Sequence, residues 1–191
     1  NLVIDIGNTS SKVAVYENDV MLETMEVANE LTKDLSILMD RYPNLRQALI
    51  SSVGHLPERL EPFLMENIPY SILSAESSLP IHLSYKTPES LGSDRIALAV
   101  GGWYHSDKSN TLIVDLGTCI TYDFVSKQGE YRGGSISPGL LMRYKSLNLM
   151  TASLPEIGPI KNVSKLIGAS TQESIRSGVQ YGIINEMEGI I

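Results

Sequence analysis

Cysteine is almost absent from this chain: Cys119 is the single one, so no intrachain disulfide can form and a reducing compartment is the natural setting. Basic clusters are missing too. With 15 Lys and Arg against 22 Asp and Glu the net charge is −7, and no run of Lys or Arg offers the phosphate-neutralising surface that nucleic-acid binding requires. No stretch approaches the ~18 apolar residues of a membrane span. A core-type strand is expected from Leu2, and no signal peptide is expected ahead of it. A soluble, cytoplasmic protein without nucleic-acid or membrane partners is expected. His55, His82 and His105 show no metal-ligand spacing, and Cys119 has no evident His partner for thiol chemistry.

What the chain does have is one turn written twice. Asp5-Ile6-Gly7-Asn8-Thr9 follows the apolar run Leu2-Val3-Ile4, and Asp115-Leu116-Gly117-Thr118-Cys119 follows Thr111-Leu112-Ile113-Val114. Each run is aliphatic, too short for a helix and closed by turn residues, so each reads as a buried strand. Strand patterns resume at Lys12 to Tyr16 and at Thr121 to Val125, which makes two hairpins. Bare glycines at 7 and 117 let backbone N–H groups approach an anion. Asn8, Thr9, Ser10, Ser11 and Lys12 add amide, hydroxyl and ammonium donors at the same place. Asp5 and Asp115 would repel phosphate unless a cation lay between, and magnesium held partly through water fits that position. Asp and Gly are also ordinary turn residues. Recurrence on the same strand–turn–strand frame favours phosphate, with two lobes facing one nucleotide from opposite sides.

The 191 residues, 42% of them hydrophobic, suffice for two modest cores. After the first hairpin the pattern predicts a strand at Val20–Val27, a helix at Leu31–Tyr42, a strand at Ala48–Val53, a helix at Pro57–Glu66 and a strand at Tyr70–Leu73. That order is the mixed sheet expected of a ribonuclease-H-like lobe. Residues 74–92 are polar and irregular. A small-residue helix follows at Ile96–Tyr104, and the second lobe then opens at Thr111. A loop is expected at Gly133–Gly139, a helix at Leu140–Thr151, and a last helix capped by Ser170 with Glu173 reaching back. The second lobe is expected to lack the β-α-β portion that would finish its sheet.

Gly92-Ser93-Asp94-Arg95 is the candidate acceptor-side site. Asp94 can accept a hydroxyl proton and Arg95 can pair with a carboxylate or a developing phosphoryl charge. The plainer alternative makes Ser93 a helix N-cap and Asp94 a first-turn complement to the helix dipole. Thr118 and Thr121 are candidates for phosphate contact, Gly133 and Gly134 for close backbone approach to a substrate, and Tyr85 for lining a pocket. Thr171 reads simply as the first residue of a capped helix.

These segments together, Asp5 to Thr9, Leu91 to Arg95, Asp115 to Thr121 and Gly133-Gly134-Ser135-Ile136-Ser137-Pro138-Gly139, in this order, resemble a type III pantothenate kinase. That family belongs to the acetate kinase, sugar kinase, Hsp70 and actin superfamily. The resemblance implies an α/β fold of two ribonuclease-H-like (actin-like ATPase) lobes, 1–107 and 108–191, the second incomplete at its C-terminus. It implies ATP-dependent phosphorylation of pantothenate, the first step of coenzyme A synthesis, by a cytoplasmic homodimer using Mg2+ and a monovalent cation, K+ or NH4+. By motif position, Asp5, Ile6, Gly7, Asn8, Thr9, Ser10, Ser11 and Lys12 would hold ATP phosphates, with Asp5 toward magnesium. Asp94 would be the general base. Tyr85, Gly92, Ser93, Asp94 and Arg95 would bind pantothenate, Thr118 would bind ATP, and Thr171 would reach pantothenate from the dimer partner. Asp115 would hold the monovalent cation, whereas the residues alone suggest magnesium there. Ser93 stands where the family more often has alanine. The missing part of the second lobe is the region that usually cradles adenine in this superfamily. The alternatives are a nucleotide-binding transcriptional accessory factor of the same fold and a kinase for another small hydroxylated metabolite.

Overall fold

Short aliphatic runs bounded by turns become strands throughout the first half of the chain: β1 (Leu2–Ile6), β2 (Ser11–Glu17), β3 (Val20–Glu26), β4 (Ala48–Ser52) and β5 (Tyr70–Ile72). Helices α1 (Leu31–Arg41) and α2 (Leu60–Asn67) supply the crossovers that parallel pairing demands. The computed structural model describes residues 1–27, 30–162 and 165–191. The sheet order is β3-β2-β1-β4-β5, with β1 antiparallel to β2 and parallel to β4. Alternation puts Leu2, Ile4, Val13, Val15 and Ile50 on one face, where they are essentially buried. Leu31, Leu35 and Leu38 recur at helical spacing on α1 and join that core, as do Leu60 and Leu64 of α2. The second helix starts at Leu60 rather than Pro57, because the Leu60 N–H closes a tight turn onto the Pro57 carbonyl at 2.9 Å.

The remaining elements are β6 (His82–Leu83), α3 (Ser93–His105), β7 (Thr111–Leu116), β8 (Cys119–Val125), β9 (Glu130–Pro138), α4 (Leu140–Leu149) and α5 (Thr171–Ile190). The second sheet has the order β6-β9-β8-β7, and its β6–β9 pair is parallel. Two compact units result: residues 1–111 with 125–132, and residues 112–124 with 133–191.

Two expectations need correction. Residues 74–92 were expected to be irregular, yet they contain β6 and a single 3-10 turn at Pro88–Ser90. A two-residue strand carries no periodicity, and its partners, Glu130 and Tyr131, are remote in sequence. The expected loop at Gly133–Gly139 is instead strand through Pro138. Its glycines have separate causes: Gly133 takes φ +87°, a backbone conformation that favours glycine, and a Cβ on Gly134 would overlap the Tyr122 carbonyl.

Candidate functional site

In the first unit, the face of the sheet opposite the aliphatic core carries a polar row. Asp5 of β1 pairs in register with Lys12 of β2 on one side and Ser51 of β4 on the other. Register partners share a face, so all three side chains project from the side away from Ile4, Val13 and Ile50. Asp5 and Lys12 are exposed, and Ser51 is buried. The turn that follows is open: Gly7, Asn8 and Thr9 are exposed, Ser10 and Ser11 half-buried, and the Gly7 N–H donates to the Ser10 carbonyl at 3.1 Å. Ile6 is the exception among these candidates, since it closes the core cluster.

The start of α3 meets this row. Ser93 is only 6% exposed, and its hydroxyl donates to the Ser52 carbonyl at 2.9 Å, accepts from the Ser52 N–H at 2.8 Å and lies 3.2 Å from the Ser51 hydroxyl. Ser93 is therefore the first helical residue and a bracket to β4, not the expected N-cap; Gly92 holds the cap position. Next to it, Asp94 is half-buried and its Oδ1 accepts from the Arg95 N–H at 2.8 Å. A Cβ on Gly92 would collide with that carboxylate oxygen. Arg95 is 6% exposed, a guanidinium almost withdrawn from solvent. Tyr85, half-buried after β6, stacks at a tilt on Tyr131 with ring centroids 6.0 Å apart. The first unit thus joins the Asp5 to Lys12 hairpin with Ser93 and Asp94 through the carboxyl ends of β1 and β4, where α/β sheets characteristically receive ligands.

In the second unit, β7 and β8 are joined by Gly117 and Thr118, both exposed, with Asp115 half-buried just before them. The Gly117 N–H donates to the Cys119 carbonyl at 2.9 Å. Gly139, at the junction of β9 and α4, lies directly on this turn: its N–H donates to the Thr118 carbonyl at 3.0 Å, and a Cβ there would overlap the Gly117 and Thr118 carbonyls. Thr121 is 8% exposed, and among the described residues its hydroxyl has no hydrogen-bond partner. Thr171 is not part of this turn. It is the first residue of α5 and lines a broad cavity of about 1010 Å³ together with Leu147, Leu154, Ile175 and Val179. Ser170 caps α5 by accepting from the Glu173 N–H at 3.3 Å, while the Glu173 carboxylate reaches to the Ala169 N–H at 2.7 Å, one residue before the expected partner.

Three residues escaped the sequence reading. Ser51 and Ser52 look like an unremarkable polar end to a strand. Glu186, on α5, looks like one more solvated acid. It instead gathers the Tyr122, Ser137 and Arg143 side chains, and these hydrogen bonds hold its carboxyl below the ordinary carboxylate range. Burial, reinforced by Glu186, pushes the Tyr122 phenol up.

At the 5–12 hairpin a bound magnesium would find the exposed carboxylate of Asp5. Among the described residues no three His, Cys, Asp or Glu side chains form a metal cage. That donor set fits an ion that keeps much of its shell as water and substrate oxygen.

Comparison with known proteins gives a consistent result. The profile of the family described as type III pantothenate kinase matches residues 1–191. The chain is 40% identical over 193 residues to a type III pantothenate kinase of Phocaeicola vulgatus, covering 100% of this chain and 78% of that protein. It is 43% identical over 194 residues to one of Christiangramia forsetii, covering 100% and 79%. Among solved structures, a conserved putative Baf family transcriptional activator from Campylobacter jejuni matches with a TM-score of 0.60 at 21% identity, over 99% of this chain and 78% of that one. The last likeness concerns the fold alone.

Proposed function

The chain belongs to the type III pantothenate kinase family, and we propose that Asp94, which directly follows the Ser93 that is bonded to the end of β4, is the general base of its reaction. That reaction is phosphorylation of pantothenate by ATP with a divalent metal, the first step of coenzyme A biosynthesis. One observation carries the residue assignment: the Ser93 hydroxyl fastens the start of α3 to Ser51 and Ser52, and Ser51 is the register partner of Asp5. Phosphate-side and acceptor-side groups thereby share one end of the first sheet.

In this assignment the exposed 7–12 turn holds the ATP phosphates through its N–H groups, hydroxyls and the Lys12 ammonium. Asp5 would hold the magnesium, which would supply neutralisation of the phosphate charge. Asp94 accepts a hydrogen bond from the primary hydroxyl of pantothenate and orients its oxygen. As that oxygen bonds to the γ-phosphorus, the bond to the ADP oxygen breaks and the hydroxyl proton passes to Asp94. Because an alcohol is a weak acid, the proton moves late, and most of the rate comes from alignment and charge neutralisation. Gly92, Ser93, Arg95 and Tyr85 shape the pantothenate side.

In the second unit Thr118 would contact ATP, and the half-buried carboxylate of Asp115 would hold a monovalent cation, K+ or NH4+. The enzyme works as a homodimer in which Thr171, exposed at its cavity, reaches pantothenate bound by the partner. The strand order β3-β2-β1-β4-β5 supports a ribonuclease-H-like first lobe; the lobes are assigned to 1–107 and 108–191, whereas the compact units are 1–111 with 125–132 and 112–124 with 133–191. Among the described residues no helix is long and apolar enough to cross a membrane, which is consistent with a cytoplasmic enzyme.

A coupled assay of ADP release tests the proposal across pantothenate, simple sugars and no acceptor. Release dependent on pantothenate is expected; equal release with sugars or without acceptor would overturn it.

A further inference from the structure

A polar cluster of the second unit, centred on Glu186, lies outside every residue discussed as a substrate contact. Glu186 Oε1 accepts from the Tyr122 hydroxyl at 3.1 Å and from the Ser137 hydroxyl, and Oε2 accepts from Arg143 Nη2. Arg143 also donates from Nε to the Pro138 carbonyl at 2.7 Å and from Nη2 to Ser137 Oγ at 3.3 Å. The side chains of Glu186 and Arg143 are 24% and 20% exposed, so this ion pair is partly withdrawn from solvent screening. Apart from the Arg143–Glu186 pair itself, which joins α4 to α5, every bond named here ends on Ser137 or Pro138, the last residues of β9, or on Tyr122 of β8. The next residue, Gly139, is the one that rests on the Gly117 and Thr118 carbonyls.

A chain of contacts therefore runs from α5 to the phosphate turn. Glu186 fixes Arg143 and Ser137, these fix the end of β9, and Gly139 presses that end onto Thr118. The turn itself is short and exposed; the Gly117 N–H is held within it by the Cys119 carbonyl at 2.9 Å, and the Gly139 N–H holds the Thr118 carbonyl from the β9–α4 junction at 3.0 Å. We propose that Glu186 is a positioning residue that sets nucleotide affinity by holding the β9–α4 junction against the 117–118 turn; this rests on the assignment of that turn to ATP. It touches no substrate. Its effect is on where the turn sits, so it belongs to binding of the nucleotide and not to the proton transfer at Asp94.

The test is steady-state kinetics and direct ATP binding by equilibrium dialysis on Glu186→Gln, Ser137→Ala and the unaltered enzyme. Loss of a charge-assisted contact should raise KM and Kd for ATP about tenfold in Glu186→Gln, with KM for pantothenate within about twofold and kcat within about threefold. Ser137→Ala, which removes one arm while keeping the charge pair, should show a smaller shift of the same kind. A fall in melting temperature with unchanged KM and Kd for ATP would make the cluster merely structural and overturn the proposal. Equal rises in both Michaelis constants would overturn it as well. Should the unaltered enzyme release no ADP with pantothenate, the reaction assignment fails, while dialysis still decides for or against Glu186.

Discussion

The Asp94 carboxylate occupies the space that a side chain on Gly92 would fill. The glycine is required here by its neighbour and not by backbone conformation. Gly92→Ala must swing that carboxylate away, which a flexible side chain can do without disturbing the sheet. Turnover should fall about 10²-fold for a displacement near 1 Å, with the melting temperature almost unchanged. Kinetics beside a thermal melt check this, and a large loss of stability would contradict it.

Asp94→Asn keeps the shape and the hydrogen bond to the Arg95 N–H but removes the base. Turnover should drop by roughly 10²–10⁴-fold, while ATP affinity measured by dialysis is retained. Parallel loss of both would place Asp94 in the nucleotide site.

Ser93→Ala deletes a hydroxyl that satisfies both polar groups of the Ser52 peptide. Leaving that peptide without its partner should cost about 1–3 kcal/mol, read as a lower urea midpoint at unchanged slope. An unaltered midpoint would mean that water replaces the hydroxyl without loss.

Glu186 has a depressed carboxyl in the folded protein. Its contribution is therefore complete above the unfolded value and disappears as pH falls through the lower, folded one. The melting temperature of the unaltered protein should exceed that of Glu186→Gln at pH 7, and the gap should close in acid below the ordinary glutamate range. A gap that widens with acidification would reverse the sign.

Two glycines make a contrasting pair. Gly134 faces backbone, the Tyr122 carbonyl, which cannot move aside, whereas Gly101 inside α3 has open space around its Cβ position. Gly134→Ala should destabilise by about 3 kcal/mol. Gly101→Ala should stabilise by about 0.5–1 kcal/mol through helix propensity alone. Chemical denaturation of both variants separates the two causes.

Much of the first unit could be read from local pattern. β1, β2 and β4 are β-branched or aliphatic runs closed by turns, and α1 shows its buried stripe at Leu31, Leu35 and Leu38. The acidic glycine turns were visible for the same reason, since turn chemistry is local. What stayed hidden depends on distant partners. Ser93 offers two local readings, substrate contact or helix cap, but its hydroxyl bonds Ser52, 41 positions away, and no neighbouring residue signals that. β6 exists only because β9 pairs with it. Glu186 lies on a helix whose other acids are exposed or half-buried, and its role comes from strands it meets only after folding.

At the end of β4 the Val53 N–H turns toward Ile6 of β1, while the N–H and carbonyl of Ser52 both turn to the Ser93 hydroxyl. β5 pairs with β4 only as far as Ile50 in register, so one serine oxygen stands in for the missing stretch of strand. The sheet's final rung is thus a helix residue. Any tilt of α3 has to unzip that rung first, which couples the orientation of residue 94 to the integrity of the sheet and gives the acceptor side a rigid footing without an additional element.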